Sequence, residues 1–376
     1  MRRGAAQMST PDLVVVGAGF SGCTLARIVA EAGHRVHVVE RRDHIGGNAY
    51  DELDAHGVRI HRYGPHIFHT NAERIVEFLS RFTAWRPYQH RVRAMVRGRL
   101  VPFPINRTTL NLVYGLDLDE AGARRFLAAA AIDRGEPRTS EDVVLARVGA
   151  ELCDLLFRGY TRKQWGLELS DLAPSVAARI GARASDDDRY FTDRFQCMPA
   201  EGYTPVFARM LAHPAITVET GVDALADRAR LDARHCVYTG PIDAWYGGRF
   251  GALPYRSIRF EHAHHKDVAQ FQPVGTVNFP GDEPYTRITE FRHLTGQPHE
   301  GTSIVREIPC DGGEPLYPVP RPANAAIYER YRALADAETR VTFVGRLAQY
   351  RYYNMDQAVA AAMTAARRVI ERLAAG

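Results

Sequence analysis

Apolar and polar positions follow three different rhythms along this chain, and each predicts a different kind of element. Asp12 leads into an unbroken apolar run, Leu13-Val14-Val15-Val16, which predicts a short strand buried on both faces, as in a parallel sheet. Gly17-Ala18-Gly19-Phe20-Ser21-Gly22 follows at once. A helical pattern then runs from Cys23 to Glu31 and ends at Gly33, and a second strand, Val36-His37-Val38-Val39, stops at Glu40. Within residues 81–106 the rhythm changes to strict alternation. Val92, Ala94 and Val96 alternate, Arg97-Gly98 turns, and Leu100-Val101-Pro102-Phe103 returns as the second arm of a β-hairpin. From Asn106 to about Arg183 the period becomes helical. Asp119 to Ile132 is rich in alanine and leucine, and Thr139 with Asp142 three residues on reads as a helix start. Val144, Val148, Leu152 and Leu155 then share one face.

Strand rhythm returns further on. Ile216-Thr217-Val218 and Val237-Tyr238-Thr239 read as buried strands, the second leaving sharply through Gly240-Pro241. Four strand-like runs, Ile258–Glu261, Gly275–Phe279, Tyr285–Glu290 and Ser303–Glu307, predict a largely antiparallel sheet. Val341-Thr342-Phe343-Val344 is a last strand, closed by Gly345-Arg346. After Met355 a helix buries Val359, Met363, Ala366, Val369 and Leu373. The expected class is α/β. A discontinuous Rossmann-type domain takes residues 10–80, 200–250 and 335–376, a helical domain is inserted at 107–195, and a mainly antiparallel sheet domain takes 81–106 and 251–330.

Composition narrows the function. A chain of 376 residues predicts two or three domains. Its 45% hydrophobic and 24% charged residues are those of an ordinary globular protein. A formal charge of +4, with no long basic run, argues against a nucleic-acid partner. Of 48 basic residues only Lys163 and Lys266 are lysines. That bias is mostly genomic, with a few arginines available as planar, permanently charged phosphate forks. The five cysteines are scattered without C-x-x-C spacing, so neither a disulfide scaffold nor a metal site is expected, and a reducing cytoplasm fits. No apolar run approaches the ~20 residues that span a bilayer, so no membrane insertion is expected. Met1 to Pro11 lacks the apolar region of a signal peptide; it is expected to be a disordered leader, with Met8 a candidate start.

Chemistry concentrates in a few motifs. G-x-G-x-x-G between two strands, with an acid eighteen residues after its last glycine, is a dinucleotide fingerprint. Gly17 permits the tight turn, Gly19 a close pyrophosphate, and Gly22 close helix packing. The helix N-terminus supplies N–H groups to the phosphates, and Glu40 would accept from ribose hydroxyls. Arg41-Arg42-Asp43-His44-Ile45-Gly46-Gly47-Asn48 favours FAD over NAD, the alternative being an ordinary glycine turn. Tyr63-Gly64-Pro65-His66-Ile67-Phe68-His69-Thr70 offers two histidines. They read as flavin contacts, as packed loop residues, or as metal ligands that lack a third partner. Tyr160-Thr161-Arg162-Lys163-Gln164-Trp165-Gly166 is either an amphipathic helix end or a platform for a nucleobase and its phosphates. Arg179, Tyr190, Arg256, Arg287, Tyr317 and Tyr352 matter only if the fold makes them converge. There is no G-x-S-x-G, H-E-x-x-H or P-loop motif, and no second G-x-G-x-x-G for NADPH.

Taken together, VVVGAGFSG, ERRDHIGGNAY, YGPHIFHT, PFPIN, GYTRKQWG, YFTDRFQCMP, YTGPID, RFGALPYRS, YTRITEFRH and GRLAQYRYYNMDQ resemble the bacterial UDP-galactopyranose mutase family over nearly the whole chain. The resemblance implies a flavoenzyme that isomerises a nucleotide sugar between pyranose and furanose with no net redox change. Reduced flavin N5 attacks the anomeric carbon, UDP departs, the ring opens and recloses through another hydroxyl, and UDP returns. It implies Arg179 and Arg287 as diphosphate clamps, Arg179 lying in a mobile lid, with His66 and His69 flanking the isoalloxazine. It places Tyr160 under the uracil, with Thr161, Trp165, Tyr190, Arg256, Tyr317 and Tyr352 on the substrate and Asn278 and His90 as further candidates. It implies an FAD set of Gly17, Gly19, Ser21, Gly22, Glu40, Arg41, Gly47, Asn48, His66, Ile67, Val222, Arg346, Tyr353, Asn354, Met355 and Asp356. A homodimer is expected. The chain departs from the family pattern at Asn354, where several members have Asp, at Cys197, commonly Gly, and at Leu316, commonly Tyr. Related mutases act on 6-deoxy or N-acetylated sugars. A flavin amine oxidase or desaturase is the rival enzyme class, and a silenced sugar-nucleotide or FAD-binding regulator the non-enzymatic one.

Overall fold

The computed structural model describes residues 10–375; residues 1–9 of the expected leader, Met8 among them, lie outside the described residues. Strand β1 (Leu13–Val16), helix α1 (Phe20–Glu31) and strand β2 (Val36–Glu40) form the first unit. They begin a five-stranded sheet whose spatial order is Ile216–Thr220, β2, β1, His235–Tyr238, Val341–Phe343. All four pairings are parallel. β1 is central and almost wholly buried, which its unbroken valine run dictates. α1 and the C-terminal helix Met355–Ala375 pack on this sheet, burying Cys23, Leu25, Ala26 and Val29 of one with Val359, Ala366, Val369 and Leu373 of the other. Met363 is only partly buried.

A seven-stranded sheet stands beside it, in the order Tyr317–Pro318, Tyr255–His265, Thr302–Cys310, Arg287–Glu290, Thr276–Asn278, Val92–Val96, Arg99–Phe103. Its pairings are antiparallel except that of Thr276–Asn278 with Val92–Val96, which joins the early hairpin to the late strands. Several elements were not anticipated, among them a strand and a long helix. Phe195–Pro199 is a strand between Phe68–Thr70 and Trp85–Pro87. Pro322–Ala337 is a helix begun by Pro322 at its first position.

Between the hairpin and Phe195 the chain is helical, with helices at Arg107–Tyr114, Glu120–Ala130, Ser140–Cys153 and Gly159–Trp165. Asp119 caps the second through the Gly122 N–H. Thr139 and Asp142 form a reciprocal capping box on the third: Thr139 Oγ1 accepts from the Asp142 N–H at 3.2 Å, and Asp142 accepts from the Thr139 N–H at 3.0 Å. Thr139→Ala is therefore expected to cost about 1 kcal/mol. It would appear as a fall of roughly 2–4 °C in thermal unfolding, and an unshifted curve would count against the cap.

Candidate functional site

The glycine turn sits at the carboxyl end of β1. Gly17 has φ +106°, a region only glycine visits freely. A Cβ on Gly22 would lie 1.8 Å from the Gly17 carbonyl oxygen, so turn and helix touch backbone to backbone. Gly47 closes the other side, where its Cβ would come within 3.0 Å of Gly19 Cα. Glu40, buried at the end of β2, accepts the Ala18 N–H at 2.7 Å on one oxygen and the Arg42 N–H at 2.9 Å on the other. A carboxylate has about four acceptor sites, so capacity remains for ribose hydroxyls. Together these loops line a cavity of about 430 Å³, with Ser21, Asn48, Val222, Arg346, Asn354 and Met355 also on its wall. A groove of bare backbone facing a helix N-terminus, with an acid at one end, fits the pyrophosphate and ribose of FAD.

Sequence reasoning missed Glu314 at the mouth of this cavity. It pairs with Arg41 at 2.9 Å and with Arg42, which also donates to Asn48 at 2.9 Å. Thr239, at the strand exit, stands against the turn, its Oγ1 2.0 Å from a Cβ placed on Gly17. Three expected cofactor residues are engaged elsewhere. Ile67 packs into the core, Asp356 accepts from Thr70 Oγ1 at 2.8 Å, and Tyr353 gives its carbonyl to Arg346 at 2.9 Å. None of the three lines the cavity.

The two expected flavin histidines also separate. His66 lines the cavity. Its Nδ1 lies 2.9 Å from the Gly64 carbonyl, so that nitrogen carries the proton and Nε2 is left as an acceptor. Burial, then neighbouring His61, pushes its pKa down to about 3, which keeps the ring neutral. His69 is outside the lining. Its Nδ1 meets the Asp193 carboxylate at 2.7 Å, and its ring stacks on Phe191 at 3.6 Å. Among the described residues no His, Cys, Asp and Glu group is placed to hold a metal ion.

The scattered arginines and tyrosines do converge, where the seven-stranded sheet meets the helical insert. Arg287, at the start of its strand, donates to the Tyr160 hydroxyl, and its Nε lies 3.5 Å from the buried Glu307 carboxylate. Arg179 stacks over the Tyr352 ring at 3.8 Å. Tyr317 and Tyr352 stack on each other at 5.2 Å, with Trp165 6.4 and 6.2 Å from them. Tyr190 meets His90 edge-on at 5.8 Å, and buried Asn278 pairs in register with Arg287. Thr161 is buried in the Gly159–Trp165 helix. Arg346 connects the two sites, lying 5.5 Å from the Tyr317 ring centre and 5.7 Å from that of Tyr352 while also lining the cofactor cavity.

Electrostatics follow from that convergence. Burial would raise the Tyr352 phenol, but the guanidiniums of Arg179, Arg346 and Arg287 outweigh it and hold its pKa below the usual value. Burial pushes Tyr160 up to about 12, with Arg287 pulling against it. Burial, with Arg287 and His69 nearby, pushes His90 down to about 3. Two neutral imidazoles, His66 and His90, therefore stand among fixed guanidinium charges. Fixed guanidinium charges of this kind can receive the extra negative charge that develops on a departing diphosphate. Arg256 sits differently from expectation: its Nε and Nη2 are spent on the carbonyls of Gln164 (2.9 Å) and Lys163 (3.1 Å), and its Nη1 on Asp311. It caps the end of the Gly159–Trp165 helix.

Fold and site together define an FAD-dependent α/β enzyme with a second site suited to a nucleoside diphosphate. A family model for UDP-galactopyranose mutase matches residues 155–352, and one for an NAD(P)-binding Rossmann-like domain matches residues 15–82. The chain belongs to the UDP-galactopyranose mutase family. It is 38% identical to a Klebsiella pneumoniae protein named probable UDP-galactopyranose mutase, over 98% of this chain and 97% of that one. It is 36% identical to the dTDP-fucopyranose mutase of Escherichia coli, over 96% of this chain and 98% of the relative. In fold it matches a crystal structure of reduced UDP-galactopyranose mutase with TM-score 0.74 at 18% identity, covering 97% of this chain and 95% of that one. Among the described residues no helix is long and apolar enough to cross a membrane.

Proposed function

We propose that this enzyme interconverts UDP-galactopyranose and UDP-galactofuranose. The observation that carries the reading is Arg346, which borders the FAD cavity and the paired Tyr317–Tyr352 rings at once. A sugar whose diphosphate lies against those tyrosines is thereby brought to the cofactor. When bound and reduced, FAD supplies the nucleophile for the anomeric carbon and is regenerated at the end of the cycle.

The chain's residues do the rest. Tyr160 offers its ring to the nucleobase, with Thr161, Trp165 and Asn278 around it. Arg287 and Arg179 take the charge that grows on the departing diphosphate, and the phenols of Tyr317 and Tyr352 donate to it. Holding UDP there while the sugar reorganises keeps the return step effectively intramolecular. Neutral His66 and His90 flank the reacting region without adding charge, and Tyr190 bounds the sugar. Glu40, Gly17, Gly19, Gly22, Gly47 and Asn48 hold the cofactor. The division of labour proposed for the chain assigns cofactor binding to residues 10–80, 200–250 and 335–376. Substrate binding falls to 107–195, and the cleft floor to 81–106 and 251–330. A homodimer in the reducing cytoplasm is proposed, a compartment supported by five free cysteines, four of them buried.

A 6-deoxy sugar nucleotide is the second reading, favoured by the Escherichia coli dTDP-fucopyranose mutase at 36% identity. Dithionite-reduced protein is incubated anaerobically with UDP-galactose, UDP-N-acetylgalactosamine and dTDP-fucose, and furanose formation is followed chromatographically. UDP-galactose is expected to give the highest kcat/KM, and dTDP-fucose in first place would select the second reading. No furanose from any of the three, with steady NADPH oxidation on an organic substrate, would sink both.

A further inference from the structure

Lys163 is one of two lysines among 48 basic residues, and it lies inside the cleft's own helix. Its Nζ donates to three backbone carbonyls: Phe279 at 2.6 Å, Glu283 at 3.0 Å and Tyr285 at 3.1 Å. Those three belong to the turn between the Thr276–Asn278 and Arg287–Glu290 strands. An ammonium has three donors, and this turn satisfies all three. A guanidinium spreads its donors over a planar fork on a longer stem, and none of its nitrogens carries three N–H groups to aim from one point at three carbonyls. That geometry gives a physical reason for lysine here in a chain that otherwise uses arginine.

A second contact comes from the backbone. A Cβ on Gly159 would lie 2.1 Å from the Pro280 carbonyl oxygen, so the helix meets the same turn with no room for a side chain. Arg256 holds the other end of the helix through the carbonyls of Lys163 and Gln164. Tyr160, Thr161 and Trp165 ride on the helix, while Asn278 and Arg287 occupy the hairpin arms that flank the turn. The hydrogen bond from Arg287 to the Tyr160 hydroxyl spans the two parts.

We propose that Lys163 is a positioning residue: by fastening the 279–286 turn to the Gly159–Trp165 helix, it sets the distance between the Tyr160 nucleobase platform and the Arg287 diphosphate site. This role rests on the reading of the cleft as a nucleoside-diphosphate site. Because it sets Arg287 against the nucleobase platform, it governs how tightly the nucleotide is held as well as how well the leaving charge is met. Lys163→Arg and Lys163→Met are each expected to weaken UDP binding and raise KM about tenfold, with kcat falling as well.

The test uses the reduced holoenzyme. It compares UDP affinity by titration calorimetry, kcat and KM with UDP-galactose, flavin content and thermal unfolding. The role is supported if UDP affinity and KM shift together in Lys163→Arg at full flavin content. A purely structural role would lower flavin content and active fraction with KM unchanged, and that result overturns the proposal. So does a Lys163→Arg protein that binds UDP as tightly as the parent. If the parent protein itself binds no UDP, the reading of the cleft fails first, and this role falls with it.

Discussion

Arg287→Ala is expected to lower kcat/KM with UDP-galactose by about 10³-fold, measured anaerobically on the reduced enzyme. Removing one donor from a site that stabilises developing negative charge typically costs 10²–10³-fold, and here the loss is compounded. Tyr160 loses the guanidinium that donates to its hydroxyl. Glu307, whose side chain is only 3% exposed, loses the cation beside it, and one of its carboxylate oxygens already has no hydrogen-bond partner. Arg287→Lys is expected to recover only part of the loss, because a point charge cannot reach Tyr160 and Glu307 together. An Arg287→Ala protein within threefold of the parent would show the assignment to be wrong.

The same pair predicts a pH effect on stability. Burial raises the Glu307 pKa above its ordinary value, Arg287 pulling the other way. A carboxyl that titrates higher when folded holds its proton more tightly in the native state. Its contribution is therefore full below the unfolded pKa and is lost as pH rises through the folded value. Without Arg287 that loss should deepen. Thermal unfolding of parent and variant between pH 4.5 and 8 should diverge toward the alkaline end, and parallel curves would argue against the coupling.

Gly22→Ala is the second large expected effect, on the cofactor. The added methyl would lie 1.8 Å from the Gly17 carbonyl oxygen and 3.3 Å from a Val15 methyl, and the first of these is backbone. Neither the turn nor α1 can retreat alone, because Gly17 also faces Thr239 and α1 is packed against the C-terminal helix. Overpacking of this kind costs roughly 1–3 kcal/mol or more. The displacement falls on the N–H groups that would meet the pyrophosphate. Purified protein is expected to carry less than about a tenth of the parental flavin per chain and to unfold at lower temperature. Parental flavin absorbance with an unchanged melting curve would remove the close-approach argument.

Glycine spacing and valine runs made the nucleotide fold readable because both are local. A strand buried on both faces must be apolar throughout, and a turn with φ +106° must be glycine. Phe195–Pro199 was harder, because it sits within a polar and aromatic stretch and owes its strand state to two partners distant in sequence, Phe68–Thr70 and Trp85–Pro87. Glu314 was illegible for a similar reason. An acid after two glycines has no local signature, and its value comes from Arg41 and Arg42, more than 270 positions away. His66 and His69, three apart, looked equivalent in sequence. The strand that carries His69 turns it onto Asp193 and Phe191, whereas His66 stays on the loop beside the cavity.

From its sequence alone this protein could be assigned a parallel nucleotide sheet, a helical insert, a second sheet and a dinucleotide turn, since periodicity and glycine spacing depend on neighbours along the chain. Its family motifs also named the arginines and tyrosines. What only the tertiary structure decided is how those side chains are spent. Arg287 and Arg179 meet phenols where the sheet joins the insert, whereas Arg256 is held by two carbonyls at a helix end and by Asp311. Lys163 anchors a turn more than a hundred residues away. How many donors a guanidinium or ammonium keeps for a phosphate depends on how many are already held by carbonyls and carboxylates, and those contacts join segments no local pattern encodes.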